Sequence, residues 1–311
     1  MTLTVDHLSY LNEEQRLFSI FSNISDFDRY NVVSDDGHLL QVYEIGQQNA
    51  HIVILFPAVG TSFILLSNIA RYLCNDFHVI TWETRGLPNT LWTSDALLDV
   101  SLEQQTRDVD TILARYPSKN LASIVAYCSG SPLALSYAAS RRLAFSSLIL
   151  VSPLFYISLA YPKNQYEEVV LPLWSRVAAE GKSFAEVFRR IINQGNAGAS
   201  QVGRQLASVN RILYRSDDST LAYAQQLMAV ISHDSLNDLL NVHVPLTLIN
   251  SKEDEMVNWR VGETIAESIA HCKSVVYETG DHFMVYSNQR LFDEVKSKIL
   301  NAIEFDWLRN K

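Results

Sequence analysis

Cysteine is scarce in this chain: Cys74, Cys128 and Cys272 are the only three, and no two stand at CxxC spacing. That excludes a disulfide framework and a cysteine zinc site, and makes a reducing, cytoplasmic setting the default expectation. Positive charge is also short, with 25 Lys and Arg against 34 Asp and Glu and a net charge of −9. A phosphate-binding surface is therefore not implied, and nucleic acid is not an expected partner. There is no Gly-rich phosphate loop and no His/Cys/Asp cluster at metal spacing, so neither metal nor cofactor is expected. The first residues, MTLTVDHLSYLNEEQ, carry no basic region and no apolar run, which is unlike a secretory leader. Residues 143–162 lack charge but hold Pro153 and four serines, so they read as a strand and an apolar loop rather than a membrane span.

What is present is ordinary for a globular chain with a good core: 48% hydrophobic and 19% charged residues over 311 positions. Residues 30–34 and 38–45 around Asp35-Asp36-Gly37 read as a hairpin with an Asp-Gly turn. A near-continuous apolar run at 51–57 reads as a strand buried on both faces, and 78–82, 121–127, 147–151, 245–250 and 274–277 read as further strands. Helical spacing appears at 63–74, 102–116, 131–140, 259–269 and 288–303, with a short amphipathic piece at 15–21. Between the sixth and seventh strands come only helical patterns, at 166–179, 184–193, 200–214 and 219–231. Strands alternating with helices predict a mainly parallel sheet of eight strands covered on both faces. Residues 1–153 and 241–311 would form the core, with 154–240 a helical lid on the same domain.

One stretch organises the rest. Residues 121–135 run from a strand into a helix start through Ala126-Tyr127-Cys128-Ser129-Gly130. Small residues two before and two after a nucleophile are what a sharp strand-to-helix turn demands, since the two elements pass very close there. Ser129 in the nucleophile slot would be flanked by bulky Tyr127, and Ser131 would put Leu133 on a small position. Cys128 is the candidate nucleophile.

Residues 249–257 (INSKEDEMV) follow the seventh strand and residues 279–283 (TGDHF) follow the eighth. With the elbow, these segments make the chain resemble the α/β-hydrolase fold family from about residue 30 onward. That family orders nucleophile, acid and histidine as these segments do. The resemblance implies Asp254 as the acid, ahead of its neighbours Glu253 and Glu255, and His282 as the base, with Asp281 a turn residue. The cysteine is similar to the minority seen in polyhydroxyalkanoate synthases and some assembly-line thioesterases. The family's His-Gly pair after the third strand is replaced here by Pro57-Ala58.

The expected chemistry follows from those residues. Cys128 would accept an acyl group, His282 would move the proton and Asp254 would orient the imidazole. Backbone N–H groups of Ser129 and of Val59, or else Ala58, would hold the oxyanion, with Gly60 a turn requirement. A thioester intermediate exchanges nearly isoenergetically with a thioester donor. That favours acyl transfer or thioester cleavage, the donor an acyl carrier protein or coenzyme A thioester and the acceptor a small nucleophile or water. A carboxylester hydrolase, or a ligand-binding protein without catalysis, are the alternatives. Phe155, Tyr156, Leu159, Tyr161, Leu171, Leu173 and Trp174 suit either an acyl-chain wall or plain lid packing. Arg189, Arg190, Arg204, Arg211 and Arg215 suit either a phosphopantetheine contact or solvated helix faces.

Overall fold

The structure, a computed structural model, describes residues 24–85, 99–116, 121–140, 144–194 and 216–309. Strand β1 (Asp28–Val33) pairs antiparallel with β2 (Leu39–Ile45) across a turn in which Gly37 takes φ 85°. Only a residue without a Cβ adopts that conformation freely. The buried strands follow: β3 (Ile52–Phe56), β4 (His78–Trp82), β5 (Leu121–Tyr127), β6 (Ser147–Val151) and β7 (Leu246–Ser251), with β8 (Cys272–Tyr277) a half-buried strand at the sheet edge. They form one eight-stranded sheet in the order β1-β2-β4-β3-β5-β6-β7-β8. The β2–β4 pair is antiparallel and every later pair is parallel.

Continuous apolar runs suit this sheet because successive side chains enter opposite cores. In β3, Ile52, Ile54 and Phe56 face one core, and Val53 and Leu55 the other. One face is covered by helices α1 (Ser67–Leu73) and, from the end of the chain, residues Leu291, Val295 and Ile299. The other is covered by α2 (Leu102–Leu113) and α3 (Ser131–Ala139), which pack on each other. The helix expected at 63–74 begins as a 3₁₀ turn, Phe63–Leu66, before α1. Ser62 accepts from Ile64 N, and Glu83, 20 positions along the chain, takes the Phe63 N–H, so side chains replace the first α-helical bonds.

The described part of 154–240 is helical. A π-type turn, Tyr166–Val170, leads into α4 (Leu171–Glu180), then α5 (Lys182–Gln194), α6 (Asp217–Ile231) and α7 (Leu236–Asn241). The single helix read at 166–179 is thus two pieces, meeting one residue before Pro172, which has no N–H for the ladder. Sequence patterning did not distinguish α7. Residues 200–214, with Arg204 and Arg211, then Arg215, and residues 15–21 lie outside the described residues. Helices α8 (Trp259–Ser268), α9 (Met284–Ser287) and α10 (Gln289–Arg309) complete the chain. Among the described residues no helix is long and apolar enough to cross a membrane.

Candidate active site

The elbow is built by close approach. Tyr127 ends β5 in an extended conformation, and Cys128 then turns to φ 50°, a left-handed value that a side chain adopts only under constraint. A 3₁₀ turn, Cys128–Gly130, feeds α3. A Cβ at Gly130 would lie 2.3 Å from the Pro57 carbonyl oxygen and 3.0 Å from that of Phe56. Glycine is required there because the end of β3 runs directly beneath. The small residue two beyond Cys128 therefore has a named obstacle.

His282 stands in the loop after β8 and Asp254 in the loop after β7. The imidazole Nδ1 is 2.9 Å from Asp254 Oδ2 and 3.1 Å from Oδ1. A carboxylate only accepts, so Nδ1 carries the proton and Nε2 is left for Cys128. Asp254 Oδ1 also accepts from Met256 N at 2.9 Å and Val257 N at 2.8 Å, which fixes the carboxylate in its turn. All three residues are buried, Cys128 6% exposed, Asp254 6% and His282 7%. Burial pushes the His282 imidazole toward neutrality, but the Asp254 charge, the Cys128 charge and hydrogen bonds to both overcome it. Its pKa is held well above the ordinary histidine value. Burial raises Asp254, but the imidazolium charge and the hydrogen bonds win, and its carboxyl lies below the usual range.

The neighbouring acids have other work. Glu253 accepts from Gly280 N at 2.9 Å and ties the loop after β7 to the loop after β8. Glu255 is exposed. Asp281 accepts from Phe283 N at 3.0 Å and caps the turn.

Two contacts had no signal in the sequence. The Tyr127 hydroxyl donates to the His282 carbonyl at 3.0 Å, across 155 positions of chain, and its ring lies 5.2 Å from the imidazole. The second is a brace beneath the loop that follows β3. Glu83 accepts from Ser62 Oγ at 2.8 Å and Phe63 N at 3.2 Å, and Thr84 Oγ1 accepts from Gly60 N at 2.7 Å. Gly60 takes φ 69°, and a Cβ there would meet the Tyr223 ring at 2.5 Å. Its N–H is used by Thr84. The Val59 N–H points at Ser129, whose Oγ accepts it at 3.1 Å.

The aromatic residues of 154–240 divide. Trp174 is buried, edge-on to Phe188 and Tyr223 with ring centroids 4.5 and 4.8 Å away. Phe155 is buried in the opposite core, Tyr156 is 46% exposed and the Tyr161 hydroxyl donates to Glu167 at 2.7 Å. Arg189 pairs with Asp217 at 2.7 Å, and Arg190 with Glu186 at 2.5 Å one turn away. Both sit on partly solvated helix faces.

Residues 52–289 match the family described as alpha/beta hydrolase fold. The chain belongs to that family. No curated protein matches the sequence. Among solved structures, the α/β-hydrolase chain is similar to a candidate lipase (lip1) from Acinetobacter baumannii AYE, at TM-score 0.72 and 15% identity over 98% of each chain. An esterase (EaEST) from Exiguobacterium antarcticum aligns at TM-score 0.66 and 19% identity, covering 86% of this chain and 98% of that one. The enol-lactonase from Burkholderia xenovorans LB400 aligns at TM-score 0.65 and 18% identity, covering 88% and 100%. These likenesses establish the fold.

Proposed function

We propose that this α/β-hydrolase is an acyltransferase or thioesterase that works through an acyl-Cys128 intermediate. The observation that carries the reading is a left-handed cysteine on the elbow facing an imidazole whose other nitrogen is held by a buried carboxylate. An imidazole held in this way can take the thiol proton as the sulfur attacks, which activates the nucleophile. The sulfur attacks the acyl carbonyl carbon, and collapse of the tetrahedral adduct breaks the bond to the leaving thiol. His282 supplies the proton that leaves with it. Acylation removes the negative charge on Cys128, one of the groups that raises His282. The imidazole then becomes a better base for the acceptor, which attacks the acyl-cysteine and restores the thiolate. Asp254 keeps the ring oriented throughout.

Helices α4–α7, with 154–240 as a whole, serve in this reading as a lid on the same domain. The support is that α6 packs on the 3₁₀ turn carrying Cys128 and sets Tyr223 over Gly60. The donor would be an acyl carrier protein or coenzyme A thioester, and the acceptor a small nucleophile or water. A simple carboxylester hydrolase is the second reading, favoured by the esterase and lactonase among the similar structures.

Intact-protein mass spectrometry after incubation with a panel of acyl thioesters and short-chain esters tests both. An acyl-sized gain mapping to Cys128 and absent from Cys128→Ala is the expected result, with thioesters loading faster. Equal or faster turnover of plain esters would favour the hydrolase. Full turnover by Cys128→Ala would overturn the cysteine mechanism.

A further inference from the structure

Ser129 follows the candidate nucleophile, and its main-chain N–H is the expected first donor of an oxyanion hole. Its side chain is 1% exposed and lies against the loop after β3. There the Oγ accepts the Val59 N–H at 3.1 Å. An acyl oxygen held directly by Val59 would need the place this hydroxyl occupies. The loop is poorly placed to give way. Gly60 N is committed to Thr84, Phe63 N and Ser62 Oγ to Glu83, and Thr61 donates twice to Ala58 O, at 3.1 Å from N and 2.7 Å from Oγ1. The Tyr223 ring closes over Gly60 from above.

A hydroxyl has one proton and two lone pairs. One lone pair of Ser129 takes the Val59 N–H, and among the described residues no acceptor takes its proton. Accepting one hydrogen bond polarises the O–H and makes it a better donor. On a single serine, N and Oγ are three bonds apart and can converge on one acceptor in a gauche rotamer.

We propose that the Ser129 hydroxyl is itself an oxyanion-hole donor. It would hold the developing negative charge together with its own N–H, and the Val59 N–H would stand behind it as the group that polarises it. This rests on the acyl-cysteine reading and names a catalytic side chain for it. A donor aimed at charge that appears only in the tetrahedral adduct lowers the barrier without strengthening substrate binding.

The test compares two reactions of Cys128 in the full chain, wild type against Ser129→Ala and Ser129→Thr. Acylation by a p-nitrophenyl ester or acyl thioester passes through an oxyanion; alkylation by iodoacetamide does not. Ser129→Ala should acylate about 100- to 1,000-fold more slowly at saturating donor, the range for loss of one such donor. Its alkylation rate should be unchanged, and Ser129→Thr, which keeps the hydroxyl, should recover most of the acylation rate. Acylation of Ser129→Ala at or above the wild-type rate would overturn the proposal and make the hydroxyl a plug. A parallel fall in alkylation would also overturn it, by showing that the change acts on the thiolate or the elbow. If wild type alkylates but no donor acylates it, the acyl-transfer reading falls and takes this role with it. Wild-type acylation with an undiminished Ser129→Ala rate removes the Ser129 role alone.

Discussion

Cys128 keeps its left-handed backbone only because the residues around it leave no other path, and each of those residues can be tested. Gly130→Ala would drive a methyl into the Pro57 carbonyl at 2.3 Å, where the obstacle is backbone and cannot rotate away. Overpacking of this kind costs about 1–3 kcal/mol, so a chemical denaturation midpoint should fall and Cys128 alkylation should slow. Tyr127→Phe removes one hydroxyl and leaves the buried His282 carbonyl without that donor. A loss of about 1 kcal/mol in stability is expected. If Tyr127 positions the histidine, the pH profile of Cys128 alkylation should also shift. An unchanged profile would make the contact structural only.

At the scale of elements, the hairpin β1–β2 is tied to α2 by one buried cation. The Arg85 guanidinium bonds Asp108 at 2.5 and 2.6 Å, Asp36 at 2.5 and 2.9 Å, and Ser34 at 2.9 Å. Desolvating the group is costly, and the two carboxylates offset that cost only while both pairs stand. Arg85→Met should therefore destabilise by about 3–5 kcal/mol, because it leaves Asp108 charged and buried. Urea unfolding checks it. His38, in the same turn, is held down to about 4 by burial, then by the Arg85 charge, against a smaller opposing effect of Asp36. Its folded pKa lies below the unfolded value near 6.5, so its stability contribution is complete above that value. It is lost as pH falls from about 6.5 toward about 4. Hydrogen bonds from Arg85 chiefly hold Asp36 down to about 2, so its contribution is lost at lower pH still, below the ordinary carboxylate range. A melting-temperature series from pH 7 to pH 4 should slope downward, and His38→Gln should flatten that slope.

Over the whole molecule, the sheet carries Cys128, Asp254 and His282 on loops after β5, β7 and β8. Because Tyr223 touches Gly60 and packs on Trp174, it joins the helices after β6 to the loop after β3. Tyr223→Ala should cost about 3 kcal/mol from lost aromatic packing. If 154–240 acts as a lid, the same change should broaden the range of acyl lengths that load Cys128, read by mass across a thioester series. Loading in unchanged proportions would place the acyl group elsewhere.

The sequence by itself determined the strands, the elbow and the order of the three candidate residues. Strands β4, β5 and β6 are bounded as their sequence runs imply, and every residue in them is buried. Three loops at strand ends were also legible, because turn residues and small residues answer to local geometry. Only the tertiary structure decided what meets across space. It placed β4 between β2 and β3, brought His282 and Asp254 to 2.9 Å, set Tyr127 under the histidine and gave the Val59 N–H to Ser129. The 3₁₀ start before α1 and the separate helix α7 belong with these. Each depends on partners far along the chain, and local patterning carries no information about a hydrogen bond that closes only when the sheet assembles.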